Sequence, residues 1–142
     1  MDIFEKCFAF QDAREAIARG VYPYFIPMTE NEGSETVFHG RRLIMCGSNN
    51  YLGLTTHPKV REAAIRAVER FGTSCTGSRF LNGTLELHEQ LEHELAEWVG
   101  KEAALVFSTG MQTNLGTVSA LVGRGDVVIL DKDDHASIVD GA

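Results

Sequence analysis

Residues 103–118, Ala-Ala-Leu-Val-Phe-Ser-Thr-Gly-Met-Gln-Thr-Asn-Leu-Gly-Thr-Val, change hydrophobic period halfway along, and few architectures accommodate that change. Ala103 to Phe107 is a short apolar run, rich in Val, Leu and Phe, that reads as a buried strand. From Met111 the apolar residues fall at Met111, Leu115, Val118 and Val122, one face of a helix. Between them Ser108-Thr109-Gly110 lets a strand turn straight into a helix and leaves the first helical N–H groups unpaired. Such an end suits an anion, most naturally a phosphate. Any parallel α/β protein contains turns of this kind, so the signal is not specific. The spacings of a P-loop and of a dinucleotide fingerprint are both absent.

The surrounding chain limits the alternatives. Its 142 residues suffice for one domain with a core, and 44% hydrophobic with 23% charged residues is a globular composition. A net charge of −7 argues against a nucleic-acid surface. Cys7, Cys46 and Cys75 are odd in number and far apart, which favours reduced cytoplasmic thiols over a disulfide framework or a zinc site. No apolar run approaches a membrane span, and Met1-Asp-Ile-Phe-Glu-Lys lacks the features of a signal peptide.

Phe4 to Ala18 reads as one partly striped helix closed by Gly20. It docks on its own body, on a partner subunit or, peripherally, on a membrane; its acidic polar face favours protein. Val21-Tyr-Pro-Tyr-Phe-Ile-Pro27 is an extended aromatic arm, because two prolines exclude a helix interior. Ser34 to Met45 is a hairpin turning at His39-Gly40. Gly47 to Leu54 then reads as a polar turn or a binding loop, the turn being favoured on composition alone.

Pro58 opens a core-facing helix of about 14 residues, striped by Val60, Ala64, Ala67, Val68 and Phe71 and ending at Gly72. Gly72 to Thr84 is a long small-residue loop with one cation, Arg79, of a length that tends to be functional. Thr84 is the expected cap of the next helix, whose core face is Leu87, Leu91, Leu95, Trp98 and Val99. His93-Glu-Leu-Ala-Glu97 lacks the second histidine of a zinc-protease motif, and His88 and His93 fall on different helix faces. Arg124-Gly-Asp126 reads as a turn into the strand Val127 to Leu130 rather than as an adhesion tripeptide. Asp131, Asp133, Asp134 and His135 are too close in sequence to converge readily on one metal ion, so no metal site is expected. The alternation of helix and strand from Leu85 predicts an α/β unit with a parallel sheet. Its ligand edge would carry Gly110 and His135 together.

Four motifs, Asn49-Asn-Tyr-Leu-Gly-Leu54, Gly77-Ser-Arg-Phe-Leu-Asn-Gly-Thr84, Phe107-Ser-Thr-Gly-Met-Gln-Thr-Asn114 and Asp134-His-Ala-Ser-Ile-Val-Asp-Gly141, resemble in order and spacing the α-oxoamine synthases. These pyridoxal-phosphate enzymes of fold type I include serine palmitoyltransferase, glycine C-acetyltransferase and 8-amino-7-oxononanoate synthase. The resemblance runs from about Val21 to Ala142, and Gly20 to Phe25 with Ser78 to Leu85 looks most like the bacterial serine palmitoyltransferases. It implies an N-terminal helix, arm and hairpin over residues 1–54, followed over 55–142 by the first part of a mostly parallel three-layer α/β/α cofactor domain.

The resemblance also implies roles. Gly110 and Met111 match positions that hold the cofactor's phosphate; His135 matches a histidine that stacks on its ring and positions the substrate carboxylate. Asn50 matches an asparagine near the substrate, and Ser78 and Arg79 lie in a loop that approaches the partner's site in a homodimer. The implied reaction is decarboxylative: an amino acid, L-serine in the subfamily that the chain looks most like, condenses with a long-chain acyl-CoA, releasing carbon dioxide and coenzyme A. The family also needs a cofactor-bonding lysine and an acid facing the ring nitrogen. None of Lys6, Lys59, Lys101 or Lys132 matches the lysine motif, so the sequence reads as an N-terminal fragment, inactive alone. The alternative from another class is a non-catalytic module that dimerises through the 72–84 loop.

Overall fold

The N-terminal amphipathic stretch forms two helices, α1 (Glu5–Ala9) and α2 (Asp12–Ala18), where the sequence predicts one. Phe10 is extended at φ −72° and ψ 106°. The Gln11 side chain donates from Nε2 to the Phe8 carbonyl at 2.7 Å, taking the acceptor that a continuing helix would give to the Asp12 N–H. Gly20, at φ 69°, ends α2: its N–H donates to the Ile17 carbonyl and that of Val21 to the Ala16 carbonyl. This paired closure needs a left-handed residue that glycine adopts without strain.

The computed structural model describes residues 2–142. They fall into two compact units, one ending at Arg70 and one running from Phe71 to Ala142. In the first, β1 (Glu30–Glu32), β2 (Glu35–Phe38) and β3 (Arg41–Ile44) make an antiparallel sheet in that order, with Glu30 opposite Val37 and Glu35 opposite Ile44. The β2–β3 turn lies at His39-Gly40 as expected, with φ of 48° and 73°, the positive pair that a two-residue hairpin requires. β1 was not expected. It is held by the buried Thr36, whose hydroxyl donates to the Glu30 carbonyl at 2.6 Å, and by Arg42, which lies 3.9 Å from the Glu30 carboxylate while pairing with Glu35 of β2 at 2.7 Å. The helix α3 (Pro58–Phe71) has the predicted bounds, but Val60 and Val68 are 44% and 51% exposed. Along the stripe Val60, Ala64 and Val68 are exposed, while Ala67 and Phe71 are half-buried.

The second unit contains α4 (Glu86–Val99), α5 (Gly110–Leu121) and α6 (Ala136–Val139). Thr84 does not cap α4. The helix starts beyond Leu85, whose N–H donates to His88 Nδ1 at 3.0 Å, and the Thr84 hydroxyl donates instead to the Arg79 carbonyl at 2.8 Å. Trp98, expected in the core, is 82% exposed. Helix and apolar segment alternate as predicted, yet segments 103–107 and 127–130 pair with no strand among the described residues. Leu105, Val127 and Ile129 are accordingly exposed.

Burial concentrates where backbones approach each other. α6 packs on α5, and a Cβ at Gly141 would sit 3.0 Å from Val118 Cβ and 3.3 Å from Leu115 Cα. Likewise, a Cβ at Gly116 would lie 3.1 Å from the Phe107 ring. Ser137, between these contacts, is completely buried.

Candidate active site

Thr109 begins the site. Its extended backbone precedes α5, and its Oγ1 accepts the Gln112 N–H at 3.1 Å, satisfying one of the helix's orphan donors. The N–H groups of Gly110 and Met111 have no intrahelical acceptor, because none exists in the first turn. No acidic side chain occupies that turn, and nothing lies within 4 Å of where a Gly110 Cβ would stand. Two free donors, an uncompensated positive helix end and open space fit a phosphate.

His135 is fixed from both sides. Before it, the Asp131 Oδ1 accepts the Asp133 N–H and the Asp134 Oδ2 accepts the Asp131 N–H, each at 2.8 Å. These carboxylates brace the turn, and no His/Cys/Asp/Glu group able to hold a metal occurs among the described residues. After it, His135 caps α6: its Nδ1 accepts the Ser137 N–H at 3.1 Å and lies 2.7 Å from the Ser137 Oγ. Asn114, one turn along α5 from Gly110, donates from Nδ2 to the same Oγ at 3.0 Å. The structure thus links the imidazole to the helix whose start bears Gly110 and Met111.

Ser78 and Arg79 lie in a turn that folds onto itself. The Ser78 carbonyl accepts the N–H groups of Leu81, Asn82 and Gly83, and its Oγ accepts the Phe80 N–H at 3.2 Å. Arg79 makes a two-pronged bond to Glu92, at 2.6 and 3.0 Å, and also donates to the Val106 carbonyl at 3.1 Å. Glu92 in turn accepts the Val106 N–H at 2.8 Å. These bonds hold the Glu92 carboxyl down at about 2, the Arg79 bond contributing most and the Val106 N–H next. They also raise the Arg79 guanidinium above its ordinary value. Arg79 is therefore engaged internally, with its buried Nε left unpartnered. Arg79 itself lines an open, mainly apolar groove with Phe80, Leu105, Phe107, Gln112 and Leu115.

Asn50 belongs to the first unit. Its side chain exchanges bonds with Thr55, Nδ2 to Oγ1 at 2.8 Å and Thr55 N–H to Oδ1 at 3.3 Å. Its own N–H donates to the Ser48 Oγ at 2.9 Å. The sequence reading missed Glu92, Asn114 and Ser137. The last two lie inside the quoted motifs, whereas Glu92 looks like any other acid on the polar face of α4.

The linked helix start and capping histidine sit on an alternation of helices and apolar segments. Residues 41–142 match the aminotransferase class I and II family, and the chain belongs to that family. More particularly, it is 50% identical over 138 residues to the serine palmitoyltransferase of Sphingobacterium spiritivorum, covering 97% of this chain and 35% of that protein. It is 55% identical over 122 residues to the serine palmitoyltransferase of Bacteriovorax stolpii, covering 86% and 29%. The 8-amino-7-oxononanoate synthase of Geobacter sulfurreducens is 50% identical over 123 residues, covering 87% and 32%. Among solved structures, Sphingomonas wittichii serine palmitoyltransferase superposes with a TM-score of 0.89 at 46% identity, over 99% of this chain and 36% of that one. The S. paucimobilis enzyme with a bound pyridoxal phosphate–myriocin aldimine superposes at 0.87 and 40% identity, over 99% and 36%. The fold is therefore that of the pyridoxal-phosphate aminotransferase type. The chain spans about a third of the length of the curated relatives it matches.

Proposed function

We propose that these residues supply the phosphate-binding and ring-facing part of a pyridoxal-phosphate acyltransferase that condenses L-serine with a long-chain acyl-CoA. The observation that carries this reading is the pairing of free Gly110 and Met111 N–H groups with a His135 ring linked through the Ser137 Oγ to Asn114 of the same helix. Its specific form is supported by 50% and 55% identity to serine palmitoyltransferases. Pyridoxal phosphate would supply the electron sink for carbanion chemistry. Gly110 and Met111 would bind its phosphate. His135 would face its ring and offer the Nε2 side to the substrate carboxylate, orienting the group that later departs as carbon dioxide. Asn50 and Ser78 are proposed on the substrate side. Arg79 joins them through its loop, which its bonds to Glu92 hold in place. A cytoplasmic homodimer, with the 72–84 loop near the partner's site, completes the proposal; no described helix is long and apolar enough to cross a membrane.

A second reading is favoured by the similarity to 8-amino-7-oxononanoate synthase: the same site taking another amino acid and acyl-CoA. Thiol release from acyl-CoA separates the two. In a protein carrying these residues together with the cofactor-bonding lysine, L-serine with palmitoyl-CoA should release coenzyme A faster than L-alanine with pimeloyl-CoA or glycine with acetyl-CoA. His135→Ala should lower that release about 10²-fold, the scale of a lost orienting contact. The 142-residue chain alone should give none, since none of its lysines matches the family's. Equal rates for all three pairs, or an unaffected His135→Ala protein, contradict the proposal.

A further inference from the structure

Ser137 has no solvent exposure, and its hydroxyl is bonded on both sides. A buried hydroxyl that loses its partners costs free energy, so the direction of each bond is constrained. Asn114 Nδ2 can only donate, which makes the Ser137 Oγ an acceptor at 3.0 Å and points the hydroxyl proton towards His135 Nδ1, 2.7 Å away. The Ser137 backbone N–H also points at Nδ1, from 3.1 Å, and cannot reverse its direction. Both donors oppose a proton on Nδ1.

We propose that Asn114 and Ser137 are positioning residues that lock His135 as the Nε2–H tautomer, with a hydrogen-bond donor on the ring edge away from α6. Asn114 stands one turn beyond Gly110, so residues i and i+4 of a single helix serve the phosphate end and the imidazole. An anion held at the start of α5 and a carboxylate met by Nε2–H would then be registered against one rigid element. The inference deepens the proposed function and rests on it for its purpose, but the hydrogen-bond relay itself can be observed without any cofactor.

The test is the ring nitrogen spectrum of the 15N-histidine-labelled chain, at a pH where imidazole is neutral. His135 should show a fixed Nε2–H pattern. His88, whose Nδ1 accepts one backbone N–H, from Leu85, marks the intermediate level to which loss of the hydroxyl should bring His135, and exposed His39 should show tautomer averaging. Ser137→Ala should move only His135 towards averaging. Asn114→Asp, nearly isosteric, takes the hydroxyl proton for itself, presents an Oγ lone pair to Nδ1 and should shift His135 further towards Nδ1–H. If Ser137→Ala fails to fold by circular dichroism, Asn114→Asp decides alone. A His135 that averages like His39 in the unaltered chain overturns the relay. So does a pattern that stays Nε2–H in every folded variant. Failure of pyridoxal phosphate to bind would leave these spectra unchanged, so the two readings fail separately.

Discussion

Replacing Gly83 by alanine will dismantle the 77–84 turn and lower the stability of the second unit by about 3 kcal/mol, the upper range for forcing an atom into packed structure. Gly83 is buried, and a Cβ there would overlap the Gly77 carbonyl oxygen and lie 3.0 Å from the Ser78 carbonyl carbon. Both obstacles are backbone, so no rotamer change relieves them. Gly77→Ala makes the informative comparison, because its Cβ would meet the Asn82 amide, a side-chain end that can move. Urea unfolding should therefore show a much smaller loss for Gly77→Ala. Hydrogen exchange should show the Leu81, Asn82 and Gly83 amides losing protection only in Gly83→Ala, since all three donate to the Ser78 carbonyl.

The second large effect belongs to Glu92→Gln. The carboxylate accepts both prongs of Arg79 and the Val106 N–H, and it binds the loop, α4 and the 103–107 segment into one knot. A glutamine places an N–H₂ against a guanidinium that can only donate, so at least one bond becomes a repulsion. The melting temperature should fall by several degrees at neutral pH. The pH dependence identifies the cause. Glu92 titrates from 4.5 in the unfolded chain to about 2 in the folded one, so its contribution is complete above 4.5 and disappears as pH falls through 2. The stability gap between the original chain and Glu92→Gln should be flat above that window, narrow within it and close at its acid end. A gap that persists below pH 2 would mean that Glu92 acts through packing rather than charge.

Local chemistry was legible in the sequence wherever one residue type dictates the backbone. His39-Gly40 announced the hairpin, Pro58 and Gly72 bracketed α3, and Gly110 marked the start of α5. β1 was not legible, since Glu30-Asn-Glu32 carries no alternating apolar pattern. The break at Phe10 was equally hidden, because it depends on one side-chain bond from Gln11. Stripes on α3 and α4 predicted helices correctly and burial incorrectly: periodicity gives the face of a helix, not what lies against it. In the site, motif order marked Gly110, Met111 and His135 as candidates, and the structure connects them through α5. The residues that brace the 77–84 loop and the histidine were missed because their bonds span 13, 14 and 23 positions, as in Arg79–Glu92, Glu92–Val106 and Asn114–Ser137. Such pairings leave no periodic trace.

The start of α5 and His135 should together receive pyridoxal phosphate. Equilibrium dialysis of the chain against pyridoxal phosphate and, separately, against pyridoxal tests this directly. The phosphate-bearing compound should bind at one site per chain and pyridoxal at least tenfold more weakly, a difference of about 1.4 kcal/mol. His135→Ala should weaken binding of both compounds. Equal binding of the two, or binding that is indifferent to His135, would contradict the account.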